Sequence, residues 1–124
     1  PQSVHKIGGF KVQGREKKAA EQIVADALLL QEAGAQLLVI ECVPSSLGKL
    51  LAQTLNIPVI GIGAGPDTDA QILVLYDMLG ISPAFPRFSK NFLPDSDSVL
   101  MALQQYAEQV RGGAFPAAEH CFSE

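Results

Sequence analysis

Three short apolar runs constrain this chain more than any other feature: Leu37-Leu38-Val39-Ile40, Ile57-Pro58-Val59-Ile60-Gly61-Ile62 and Ile72-Leu73-Val74-Leu75. A strand with one face in water alternates apolar and polar residues. An unbroken apolar run is buried on both faces, as in a parallel sheet covered by helices. Pro58 cannot donate a ladder hydrogen bond, so it is expected at the first residues of its strand. The intervening stretches carry a helical period. Over residues 16–33 the residues Ala20, Ile23, Val24, Ala27 and Leu28 recur at helical spacing, and Gly34 supplies a stop. Pro44-Ser45-Ser46 opens a second helix, with either serine able to cap it and with Leu47, Leu50, Leu51 and Leu55 as its buried stripe. A last helix is predicted over about residues 95–111, with Leu100, Leu103, Tyr106, Ala107 and Val110 inward and Gly112-Gly113 ending it. The glycine-rich first fifteen residues read as a loop, and the tail from Phe115 has no usable period.

Strand, helix, strand, helix, strand, helix is the rhythm of an α/β protein with a parallel sheet. Two architectures satisfy it: a small doubly wound sheet, or a piece of a (β/α)8 barrel. Three strands are few for either, and a complete barrel takes about 250 residues against the 124 present. With 48% hydrophobic and 18% charged residues the chain is globular rather than disordered. A net charge of −4 gives no basic face for duplex nucleic acid. No apolar run approaches the roughly 20 residues of a membrane helix, and no charged start followed by an apolar block marks a signal peptide. Cys42 and Cys121 match no metal or redox spacing and read as reduced thiols of a cytoplasmic protein. No His and Cys pair has ligand spacing, so no metal site is expected within the chain.

Glu41 is the most informative polar residue. It ends a run of four apolar residues, which puts its carboxylate at the carboxyl end of a buried strand, the edge where parallel α/β folds bind ligands. Partial burial there raises a carboxyl pKa, which suits a general base near neutral pH; a rim carboxylate paired with a neighbouring cation is the plainer reading. Gly61-Ile62-Gly63-Ala64-Gly65 lets the backbone approach a ligand closely. It is neither a dinucleotide fingerprint nor a Walker A loop, and a lone glycine run of this kind is more often simply a tight turn beneath an active site. Asp77, Lys90, Glu119, His120 and His5 are dispersed and read as solvated or structural groups.

Several of these segments, taken in order, resemble the ketopantoate hydroxymethyltransferase family. They are Gly8-Gly9-Phe10-Lys11-Val12-Gln13-Gly14-Arg15, Leu38-Val39-Ile40-Glu41-Cys42-Val43-Pro44, and Ile57-Pro58-Val59-Ile60-Gly61-Ile62-Gly63-Ala64-Gly65. Asp69-Ala70-Gln71-Ile72-Leu73-Val74, Asp77-Met78-Leu79-Gly80-Ile81, Lys90-Asn91-Phe92 and Glu119-His120 follow in family order. The resemblance implies a (β/α)8 barrel of which this chain supplies strands six to eight, as one partial domain over residues 1–124 without the amino-terminal half. It implies hydroxymethyl transfer from 5,10-methylenetetrahydrofolate to the 2-oxo acid 3-methyl-2-oxobutanoate, giving 2-dehydropantoate in pantothenate biosynthesis. A bound Mg2+ polarises the oxo acid, a base removes its C3 proton, and the family's proton-accepting glutamate falls on Glu41. It also implies a large homo-oligomer.

The family's Mg2+ carboxylates, its substrate-binding serine and lysine, and a histidine at the end of the fifth strand all precede the part matched here. Pro1-Gln2-Ser3-Val4 corresponds to the segment just after that histidine, and His5 lies past its position. Ala118 stands where a Gly or Glu is expected. The 124-residue chain by itself is therefore expected neither to hold Mg2+ tightly nor to turn over substrate. The competing reading is a non-catalytic half-barrel that pairs with another chain through open strand edges. An unrelated phosphate-binding barrel using Gly61 to Gly65 would need an anion site that the sequence does not offer.

Overall fold

The computed structural model describes residues 5, 6, 9 and 11–123. Much of the expected opening loop, including Pro1 to Val4, Gly8 and Phe10, lies outside the described residues. The elements run α1 (Lys17–Glu32), β1 (Leu38–Glu41), α2 (Ser45–Thr54), β2 (Val59–Ile62), β3 (Ala70–Gln71), α3 (Leu75–Met78) and α4 (Val99–Arg111), followed by a 3-10 turn over Ala118–His120. The result is a mixed α/β structure with a small parallel sheet in the order β1-β2-β3. That is compatible with part of a (β/α)8 barrel.

Pairing is parallel throughout, with Leu38 opposite Val59, Glu41 opposite Ile62 and Gly61 opposite Gln71. Pro58 sits one residue before β2, where its carbonyl accepts from the Leu38 N–H at 2.9 Å and its missing N–H costs the ladder nothing. Gly34, at φ 98°, ends α1 in the left-handed conformation that a side chain rarely tolerates.

Apolar residues gather in two clusters. Ala27 of α1, Leu47 and Leu51 of α2, and Val59 of β2 form the first. Met78, Leu79, Phe92, Ala102 and Phe115 form the second, with Tyr106 and Val110 of α4 packed on it. In the second cluster the Phe92, Tyr106 and Phe115 rings meet edge to face at 5.5–5.9 Å, the arrangement favoured by ring quadrupoles.

Four expectations need correction. The third strand is Ala70–Gln71 and not the apolar run over residues 72–75, which leaves the sheet and enters α3. Leu73 turns into the second cluster instead of pairing. On α4 the inward face is Ala102, Tyr106 and Val110, whereas Leu100 and Leu103 are 65% and 37% exposed. The Phe92 and Phe115 rings fill the space beneath α4, and the small Ala102 is what fits against them. Leu50 is likewise half-exposed. The N-cap of α2 is Pro44, without a side-chain cap, and the Ser45 N–H is met from across the molecule by the Phe122 carbonyl at 3.0 Å. No helix among the described residues is long and apolar enough to cross a membrane.

Candidate active site

Because the strands are parallel, their carboxyl ends share one edge. Glu41 closes β1 there, the glycine turn follows β2, and the chain from Ile72 to Asp77 follows β3. The first and the last of these, through Glu41, Val74 and Asp77, border a cavity of about 570 Å³. Glu41, Cys42 and Gln13 form one side of it; Val74, Asp77, Phe85 and Phe88 form another.

Two backbone devices shape this edge. Cys42 adopts φ 56°, an uncommon conformation for a residue with a side chain. It is held by two bonds of 2.9 Å: its N–H donates to the Ile62 carbonyl, and its carbonyl accepts from the Gln13 N–H. The chain therefore reverses directly after Glu41 and brings the segment before α1 alongside the strand end. Gly63, at φ 64°, lies so close to the Phe88 ring that a Cβ would meet it at 2.6 Å. Only glycine lets the turn after β2 rest on that ring.

Glu41 is exposed, where the sequence had suggested partial burial. Its position at the strand end is as expected, but its side of the cavity is open in this chain. Burial pushes the neighbouring Cys42 thiol above its ordinary pKa; the Glu41 charge adds to this and Arg15 opposes it. The thiol is thus kept protonated and is poorly suited to act as a nucleophile.

Asp77 differs most from its expected role. It is 6% exposed, lines the same cavity, and accepts a short hydrogen bond from the Ser82 hydroxyl. The sequence held a signal for it, since Asp77 follows an apolar run much as Glu41 does. Phe85 and Phe88 were missed outright, because single aromatics between prolines show no period.

The other candidates lie elsewhere. Lys90 donates to the Gln109 side chain at 3.0 Å and sits over the Phe92 ring at 4.9 Å. His120 accepts the Ala117 N–H on Nδ1 at 3.1 Å and packs on the Phe115 ring. His5 is exposed. Among the described residues no group of three or more His, Cys, Asp and Glu side chains comes together.

A family profile described as Ketopantoate hydroxymethyltransferase matches residues 1–118. The chain belongs to the ketopantoate hydroxymethyltransferase family. It is similar to the protein named 3-methyl-2-oxobutanoate hydroxymethyltransferase from Alteromonas mediterranea, with 59% identity over 123 residues, 98% of this chain and 47% of that protein. Relatives of the same name from Alkalilimnicola ehrlichii and Shewanella loihica are 59% and 56% identical over 98% and 99% of this chain, and 44% and 47% of their own lengths. The chain thus spans about half the length of the curated relatives it matches. The family match takes in the whole cavity lining, from Lys11 to Phe88.

Proposed function

We propose that this chain supplies strands six to eight of a (β/α)8 barrel that transfers a hydroxymethyl group from 5,10-methylenetetrahydrofolate to 3-methyl-2-oxobutanoate, and that Glu41 is the proton acceptor. Residues 1–124 are then one partial domain, completed by strands outside it. The net reaction consumes one water and gives 2-dehydropantoate and tetrahydrofolate. The observation that carries the reading is the Glu41 carboxylate at the carboxyl end of a parallel strand, bordering a cavity with apolar walls. Family membership and the relatives' names favour it over a non-catalytic half-barrel.

In this reading Glu41 takes the C3 proton of the oxo acid, and the Cys42 reversal holds the carboxylate at the strand end. Mg2+ supplies Lewis-acid polarisation of the oxo acid when bound, held by carboxylates outside the described residues. The same reading includes a homo-oligomer in the cytoplasm, in keeping with two unpaired thiols, Cys42 and Cys121.

The test is solvent deuterium exchange at C3 of 3-methyl-2-oxobutanoate, followed by NMR without folate in the full protein that contains this chain. Glu41→Gln should slow the exchange by about 10²–10⁴-fold, the usual contribution of a positioned base. Exchange at the parent rate in that variant would remove Glu41 from the role.

A further inference from the structure

The cavity beside Glu41 holds a second carboxylate that proton abstraction leaves without a task. Asp77 is buried, and it forms no ion pair among the described residues. An ionised carboxylate offers about four acceptor positions, and the described donor to this one is the Ser82 hydroxyl. A buried carboxylate is unfavourable unless further donors reach it. Here the open direction is the cavity itself.

The local chain fixes that carboxylate firmly. After α3 the Gly80 N–H donates to the Asp77 carbonyl at 3.1 Å, and the Ile81 N–H donates to the Tyr76 carbonyl at 2.8 Å. This tight turn returns Ser82 to the Asp77 side chain. The wall contributed by Val74, Phe85 and Phe88 is apolar, with Lys11, Gln13 and Glu41 as the polar part of the lining: Val74 lies just before α3, Phe85 is 47% exposed, and Phe88 is the ring on which Gly63 rests. The result is a slot with aromatic walls and an acceptor pair within it, a combination typical of sites for flat ligands with a polar edge.

Resting on the hydroxymethyl-transfer reading, two substrates compete for this slot. The 2-oxo acid carries only acceptor oxygens and has no N–H or O–H to donate to an acceptor-only carboxylate such as that of Asp77. The pterin ring of the folate is flat and carries an amino group beside a ring N–H, two adjacent donors that match the two oxygens of one carboxylate. We infer that Asp77 anchors the pterin edge of the folate substrate, with Ser82 orienting the carboxylate and Phe85 covering a face of the ring.

The probe is tetrahydrofolate, titrated into the full protein by calorimetry, with folate-free C3 exchange of the oxo acid measured beside it. Asp77→Asn keeps an acceptor for Ser82 but turns an amide N–H2 toward the ring donors. Tetrahydrofolate binding weakens at least about tenfold, as expected for loss of a charge-assisted pair, while C3 exchange stays within about twofold of the parent. Phe85→Ala, at a half-exposed position, weakens binding in the same direction and decides the matter should Asp77→Asn not fold. Unchanged tetrahydrofolate affinity with intact exchange would overturn this inference and leave the transfer reading standing. An equal fall in C3 exchange would also overturn it, by assigning Asp77 to the oxo acid. A parent that neither exchanges C3 nor binds tetrahydrofolate would sink the transfer reading, and this inference with it.

Discussion

Replacing Gly48 with alanine sets two effects of opposite sign against each other. Glycine inside a helix is less favourable than alanine by about 0.8–1.0 kcal/mol, and Gly48 lies within α2, so propensity alone favours the change. Packing opposes it. A Cβ at Gly48 meets the Ala64 carbonyl oxygen at 2.2 Å and its carbon at 3.2 Å. Contacts under 3.0 Å essentially never occur, and a backbone carbonyl has no rotamer with which to yield. Ala64 is fully buried in the turn after β2, and Leu47 and Leu51 hold the same helix face in the first cluster. The helix must therefore lift from the sheet by most of an ångström, loosening Leu51 and Val59 together. Overpacking costs about 1–3 kcal/mol, so the net loss after the propensity gain is about 0–2 kcal/mol, toward the upper end because the Ala64 carbonyl cannot yield. Urea unfolding of the full protein, followed by circular dichroism, reads this as a lower midpoint at unchanged slope. Gln53→Ala, at an exposed position of α2, is the control and should stay within about 0.5 kcal/mol of the parent. A Gly48→Ala midpoint at or above the parent's would show that α2 is not seated on the glycine turn.

Three further outcomes are expected. Tyr106→Phe keeps the ring against Phe92 and Phe115 but removes the hydroxyl that donates to the Gln71 carbonyl at 3.0 Å; urea midpoints should report a loss of about 0.5–1.5 kcal/mol, and an unchanged midpoint would contradict the bond. Burial holds the His120 pKa below its ordinary value, with Glu119 opposing and Lys90 reinforcing the shift. Its contribution is thus present above the unfolded value of about 6.5 and lost as pH falls from there through the lower folded value. Amide exchange should show the Ala117 N–H losing protection across that window, and a His120→Ala variant that kept the same pH response would refute the assignment. The 124-residue chain on its own should sediment as oligomers or aggregates, since Leu37, Val39, Ile72 and Val74, in or next to the outer strands β1 and β3, are 41–52% exposed; a compact monomer with a sharp unfolding transition would overturn the partial-barrel reading.

Periodicity made α1, β1, α2 and β2 legible, because each has one strong pattern and a clear stop such as Gly34 or the glycine turn. It misled where apolar content and sheet pairing part company. The run over residues 72–75 is apolar because Leu73 fills the second cluster, while pairing is done by the unremarkable Ala70 and Gln71. On α4 two stripes share the helical period, and size favoured Leu100 and Leu103. The winning stripe is set by Phe92 and Phe115, whose positions no local pattern reveals. For the site, Glu41 was visible as a charge abruptly ending an apolar run. Asp77 follows a comparable run, but its burial was not legible, because it depends on Ser82 and on aromatic walls brought in by irregular chain. The capping serine failed for the same reason, its N–H being met from the far end of the sequence.

That last contact sets a clock on biosynthesis. The Ser45 N–H at the start of α2 and the Phe122 carbonyl that receives it are separated by 77 positions. A ribosome adding roughly 5–20 residues per second needs roughly 4–15 s to cover that interval. Throughout it α2 can form its own turns, but its first amide has only water as a partner. The Gln13 strap across Cys42 closes over a much shorter interval, because the two residues are only 29 positions apart (42 − 13). During synthesis the strand end carrying Glu41 can therefore take shape while the entry to the helix beside it stays open, until the segment around Phe122 emerges and closes it.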